Sequence, residues 1–152
     1  MNALPQSSPS LVPTTAARAR QVLSFRVGAE EYGIDILKVQ EIRGQSAVTT
    51  MPRTAAWVRG AMNLRGAIVP VIDVRARFGL EGDPGQRPVT VVVNAGQRLV
   101  GLLVDAVCDV LELAPGTIDS AIGVRSEADF VEALARLEDK LLILVDVEKL
   151  VA

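Results

Sequence analysis

Histidine is absent from the 152 residues. That removes the commonest general base, the commonest metal ligand and the usual partner of a serine or cysteine nucleophile. Cys108 is the one cysteine, so neither an intrachain disulfide nor a cysteine-built zinc site can form. A reducing compartment suits such a chain. Phe25, Tyr32, Trp57, Phe78 and Phe130 are the only aromatic residues, too scattered for a base-stacking platform. Sixteen basic residues against 18 acidic ones leave a net charge of -2 with no long basic run, so counterion release offers little drive toward nucleic acid. No apolar run reaches the ~18 residues of a membrane span. No basic residue precedes Arg18, and no long apolar segment follows it to make a signal peptide. GxxxxGK[ST], GxGxxG and GxSxG patterns are likewise missing.

What is present is apolar and repetitive. With 49% apolar and 22% charged residues the composition is that of a globular chain. Residues 1–20 are the exception, with Pro5, Pro9 and Pro13 among serines and threonines, and are expected to form a disordered leader. From Val22 the residues alternate with period two, turn at Gly28-Ala29-Glu30 and continue extended from Tyr32 to Ile42, bent near Gly33 and Ile36-Leu37. Thr54 is placed to cap one helical turn ending at Trp57. An Asn63-Leu64-Arg65-Gly66 turn feeds the apolar run Ala67 to Ile72, and Asp73 is placed to cap a short helix over Val74 to Phe78 that Gly79 stops. The same pattern recurs near the C-terminus. Leu64, Ile68-Val69 and Ile72-Asp73-Val74 match Leu137, Leu141-Leu142 and Val145-Asp146-Val147 at an offset of 73. Gly33-Ile34, Val39, Glu41 and Ile42 match Gly101-Leu102, Val107, Asp109 and Val110 at an offset of 68. The chain therefore reads as a duplication, about 21–81 and 88–151 around a turn-rich segment at 82–88, with a small insertion near Pro115-Gly116 and Ser126. Each half holds about five short strands, the inventory of a small barrel, so a mainly β chain of two tandem barrels with a few short helices is expected. Halves this small are expected to share apolar surface, and the exchange of a strand between them is left open.

Three features invite chemistry. One aspartate per half, Asp73 and Asp146, suggests a carboxylate dyad, but Val74-Arg75 and Val147-Glu148 follow where a dyad needs small residues, and helix capping is the reading kept. Cys108 stands among apolar residues without a base and is read as a buried, inert thiol. Arg65 lies at a prominent corner where the repeat has Glu138, while Glu41 keeps its acid as Asp109. The pair is either a solvated surface ion pair or two parts of a docking site. The runs Leu99 to Val104 and Leu141 to Val145 are apolar on both strand faces, so either the other barrel or a partner must cover them.

The segments from Glu31 to Gly44 and from Arg59 to Asp73 carry a resemblance, joined by Gln97 to Gly101, Val104 to Val107, Leu142 to Asp146 and Glu148 to Leu150. Over about 21–151 the chain resembles the CheW family of bacterial chemotaxis coupling proteins. The resemblance implies two tandem Src-homology-3-like five-stranded barrels in a non-catalytic adaptor that needs no cofactor or metal and couples methyl-accepting chemoreceptors to the histidine kinase CheA. It implies receptor binding at Val39, Glu41, Gly60, Arg65, Val107 and Val110. Contact with the kinase's regulatory domain is implied near Val89 and Gly101, on the barrel of the second half. The family's pattern further implies a cytoplasmic protein recruited to receptor arrays, monomeric alone and closing rings with the kinase. Trp57 stands where the family more often has another bulky apolar residue. Rival readings are an enzyme built on Asp73 and Asp146, whose turnover asparagine at both would abolish, and an oligonucleotide-binding barrel with steeply salt-dependent binding.

Overall fold

The computed structural model describes residues 20–44, 48–50, 57–80, 87–120 and 130–151. The leader up to residue 19, Thr54, most of the turn-rich segment between the halves and Ser126 lie outside them.

The first hairpin pairs β1 (Arg20–Val27) with β2 (Glu30–Asp35) through a two-residue turn that opens with Gly28 at φ 64°. A 3-10 turn over Ile36–Lys38 follows, at the bend expected near Ile36-Leu37. Asp35 causes it: its carboxylate accepts from the Leu37 amide at 2.9 Å and draws the backbone into a cap. Next come β3 (Val39–Arg43), β4 (Val58–Leu64), β5 (Ala67–Asp73) and the short helix α1 (Val74–Arg77). The second half supplies β6 (Val89–Ala95), β7 (Arg98–Val104), β8 (Ala106–Leu113), a 3-10 turn over Pro115–Thr117, β9 (Ile118–Ser120), β10 (Val131–Leu137), β11 (Lys140–Val145) and α2 (Val147–Leu150). Asp73 caps α1 by accepting from the Ala76 amide, and Asp146 caps α2 by accepting from the Glu148 and Lys149 amides.

The strands make two sheets, β8-β1-β2-β11-β10-β9 and β3-β6-β7-β5-β4. Neither matches one half of the sequence. Hairpin β1–β2 leaves its own half to pair with β8 and, in parallel, with β11. Hairpin β6–β7 makes the reciprocal move onto β3 and, in parallel, onto β5. Val89 and Gly101 were assigned to the second-half barrel, but by this exchange they belong to the sheet that carries Arg65.

The duplication extends to irregularities of the backbone. β3 slips register between Val39 and Glu41, leaving Gln40 as the extra residue, and β8 slips opposite Ser24/Phe25, leaving Cys108. β4 slips between Val58 and Gly60, and β10 between Val131 and Ala133. Such bulges bend a strand and re-aim its side chains, as closing a small barrel requires.

Three apolar clusters hold the molecule together. One fills the β3–β7 barrel with Met62, Leu64, Val69, Val71, Val92 and Leu103, and a second fills the other barrel with Val22, Leu113, Ala133, Ala135, Leu142 and Leu144. The largest lies between the sheets and takes Val100, Leu102 and Val104 from β7 and Val145 from β11. The opposite barrel thus covers the outer face of the two-faced runs, Leu103, Leu142 and Leu144 fill their own barrels, and Leu141 stays 54% exposed. Aromatic residues concentrate in this seam: Phe25, Tyr32, Phe78 and Phe130 stack in sequence at centroid distances of 5.8, 4.5 and 5.0 Å. Arg77 lies 5.0 Å from both the Trp57 and Phe130 rings and donates through Nε to the Leu150 carbonyl at 2.8 Å, tying α1 to the end of α2.

Candidate docking site

The corner between β4 and β5 is a two-residue turn, Arg65-Gly66, with φ of 50° and 89°. Two successive positive φ values define the turn whose twist suits a hairpin, and Gly66 accepts that geometry at little cost. Arg65 is the one non-glycine residue with positive φ among the described residues. Asn63 steadies it by accepting from the Gly66 amide through Oδ1 at 2.9 Å. The guanidinium is thereby pushed out of the barrel, and the side chain stays 66% exposed.

β3 and β4 are the two edges of their sheet, yet Arg65 Nη2 reaches Glu41 Oε1 at 2.6 Å. The ion pair spans the barrel's seam. The other oxygen of Glu41 accepts from Arg43 Nε at 2.9 Å. Held between two guanidiniums, chiefly by the hydrogen bond from Arg65, the Glu41 carboxyl titrates below its usual value. Thr49 closes the seam from outside β4 through reciprocal amide–carbonyl bonds with Ala61 at 2.8 and 2.9 Å. Gly60 permits that approach: it is buried at φ 155°, and a Cβ there would collide with the Thr49 carbonyl.

The other expected contact residues divide by exposure. Val39 and Val107 are half-buried and pack on the central cluster, and Val110 is 51% exposed on edge strand β8. The structure joins Glu41 directly to Arg65 and sets Gly60 beneath the same seam, while Val107 and Val110 lie on the other sheet. Val89 is half-buried at the start of β6. Gly101 is buried in mid-sheet, where a Cβ would meet Thr90 Cγ2 at 2.9 Å and Val71 Cγ2 at 3.3 Å, so it shapes β7 without presenting a surface.

Two sequence expectations change. Cys108 is exposed, not buried, because it is the bulge residue of an edge strand and its apolar neighbours Val107 and Val110 do not cover it. Partial burial of the sulfur, then the nearby Glu31 charge, raises its pKa above the ordinary 9.0, so the thiol is not activated. Arg43, the second partner of Glu41, was missed. The only signal for it was a basic residue two positions from Glu41 on the same strand face.

Asp73 and Asp146 are each spent on capping their own helix, and Asp73 also accepts from Arg59 Nη1 at 3.1 Å. Among the described residues no cluster of His, Cys, Asp or Glu suits a metal ion, and no helix is long and apolar enough to cross a membrane.

The fold defines the class of protein, a duplicated, strand-exchanged pair of Src-homology-3-like barrels. A family model described as "CheW-like domain" matches residues 21–152, and the chain belongs to that family. It is 46% identical over 136 residues to the chemotaxis protein CheW of Klebsiella aerogenes, covering 88% of this chain and 82% of that one. It is 37% identical to a probable chemotaxis protein CheW of Rhizobium etli, covering 86% of each. Among solved structures, the scaffolding protein TtCheW of Thermoanaerobacter tengcongensis superposes with a TM-score of 0.81 at 32% identity, covering 87% of this chain and 92% of that one.

Proposed function

We propose that this chain is a non-catalytic chemotaxis scaffold that couples methyl-accepting receptors to the histidine kinase CheA. In this reading it works in the cytoplasm at receptor arrays. The observation that carries the reading is the Glu41–Arg65 corner, an ordered, charged and prominent group on a chain whose relatives are chemotaxis coupling and scaffolding proteins. Arg65 and Glu41 set the register of a receptor's helical tip, and Val39, Val107 and Val110 supply apolar contact. Gly60 lets Thr49 close against β4 on the same side of the barrel. Val89 lies at the kinase-facing flank, where Gly101 keeps β7 close to β6 and β5.

Co-sedimentation of the protein with the kinase and receptor-bearing membranes, with kinase activity measured in the same tube, tests this. Wild-type protein should bring kinase to the membranes and make its activity receptor-dependent. Arg65→Glu should abolish that dependence and leave the chain folded, its melting temperature lowered only slightly by loss of an exposed ion pair, because the equivalent corner of the other barrel already carries Glu138 beside Asp139. Kinase activity that ignores the added protein, or undiminished coupling by the variant, would refute the reading.

A further inference from the structure

The duplication provides an internal comparison for every residue at the corner. Glu41 corresponds to Asp109, Arg43 to Leu111, and Arg65 to Glu138. One barrel thus sets two guanidiniums around one carboxylate, and the other folds the same way with two acids and a leucine. The fold does not need the arginines. Leu111 shows what the barrel asks of that β-strand position, a side chain packed against the neighbouring core.

Arg43 gives only Nε to Glu41, and Arg65 gives only Nη2. No other contact is made by either guanidinium among the described residues, and both are partly exposed, at 36% and 66%. The cluster carries one positive charge in excess. Glu41 uses both oxygens to hold the two guanidiniums, Arg43 from its own strand and Arg65 from across the seam. The N–H groups without a partner among the described residues match a carboxylate, which guanidiniums bind better than any other common side chain.

We propose that Arg43 and Arg65, spaced by Glu41, form a fork that receives an aspartate or glutamate side chain of the receptor's helical tip, which makes Arg43 an additional specificity-determining residue. This rests on the docking function proposed above and specifies the chemistry of its partner. Its occupant is a carboxylate on a protein helix. Glu41 is a positioning residue in this arrangement.

The test measures binding of the full chain to two probes: a soluble coiled-coil fragment ending in the receptor tip, and the isolated regulatory domain of the kinase. Arg43→Gln should weaken binding to the tip about five- to tenfold and flatten its salt dependence, with kinase-domain binding unchanged. A tip whose acidic residues are changed to amides should bind wild-type protein at least as weakly as the normal tip binds Arg43→Gln, and the two losses should not add. Arg43→Lys should recover part of the affinity, since charge is kept and the planar fork is lost. Undiminished tip binding by Arg43→Gln, fully additive losses, or an equal loss of kinase-domain binding would each overturn the fork. Wild-type protein that binds neither probe would instead overturn the coupling function itself.

Discussion

Glu31 and Glu41 each sit against a basic partner, and both carboxyls titrate below the ordinary 4.5, Glu31 chiefly through its hydrogen bond from Lys140 and Glu41 chiefly through that from Arg65. A depressed carboxylate pKa stabilises the folded chain fully above the unfolded value and stops doing so as pH falls through the folded one. Stability should therefore decline below about pH 4.5, the ordinary value. Glu31→Gln should flatten that decline, as read from denaturant midpoints across the acid range. An unchanged acid limb would remove Glu31 from the account. Charge pairing of this kind was half legible: Glu41 and Arg65 stood out because the repeat replaces the arginine, whereas Lys140 and Glu31 come from opposite halves and nothing local links them. Cys108 was misread for a related reason. Its neighbours are apolar, but exposure at an edge strand is decided by which strand lies alongside, and a bulge leaves its residue outside the ladder.

Among the elements, β7 is the most constrained, flanked by antiparallel β6 and parallel β5 and apolar on both faces. Gly101 is its narrow point. Gly101→Ala would press a methyl into Thr90 Cγ2 and should cost about 1–3 kcal/mol, the usual range for overpacking a core. Thr90→Ser removes that methyl, so the double variant should lose less than the sum of the single ones. Chemical denaturation of the four proteins decides it, and additive losses would show that the strain lies elsewhere. Period-two alternation, turn glycines and capping aspartates made strands and short helices legible, since each follows from neighbours in the chain. The bend at Ile36-Leu37 was legible but its 3-10 form was not, because that form depends on one Asp35 hydrogen bond that outweighs the extended preference of the isoleucine beside it.

At the scale of the molecule, neither half carries a complete barrel. The largest apolar cluster draws on both halves, and the Lys38–Glu148, Glu31–Lys140, Arg20–Glu132 and Arg75–Asp105 ion pairs each join one half to the other. Unfolding should therefore be a single transition. Trp57 fluorescence, reporting the seam beside Arg77 and Phe130, should change together with the β-sheet circular dichroism. Two separated transitions would mean barrels that fold independently. The duplication was legible in the matching residues at two offsets, but the offsets say only which segments are alike. Which copy of a hairpin pairs with which sheet is decided by long-range geometry, and no pattern along the chain encodes it.

Glu41 stands opposite Val92 in the β3–β6 ladder, and Val89 begins that same strand β6. Two proteins gripping the molecule at these places would hold positions three residues apart along one strand of a ladder, with only hydrogen-bonded sheet between them. Any tilt imposed at the first grip reaches the second with the stiffness of a hydrogen-bonded sheet, so a small rotation of one neighbour would become a rotation of the other of nearly the same size.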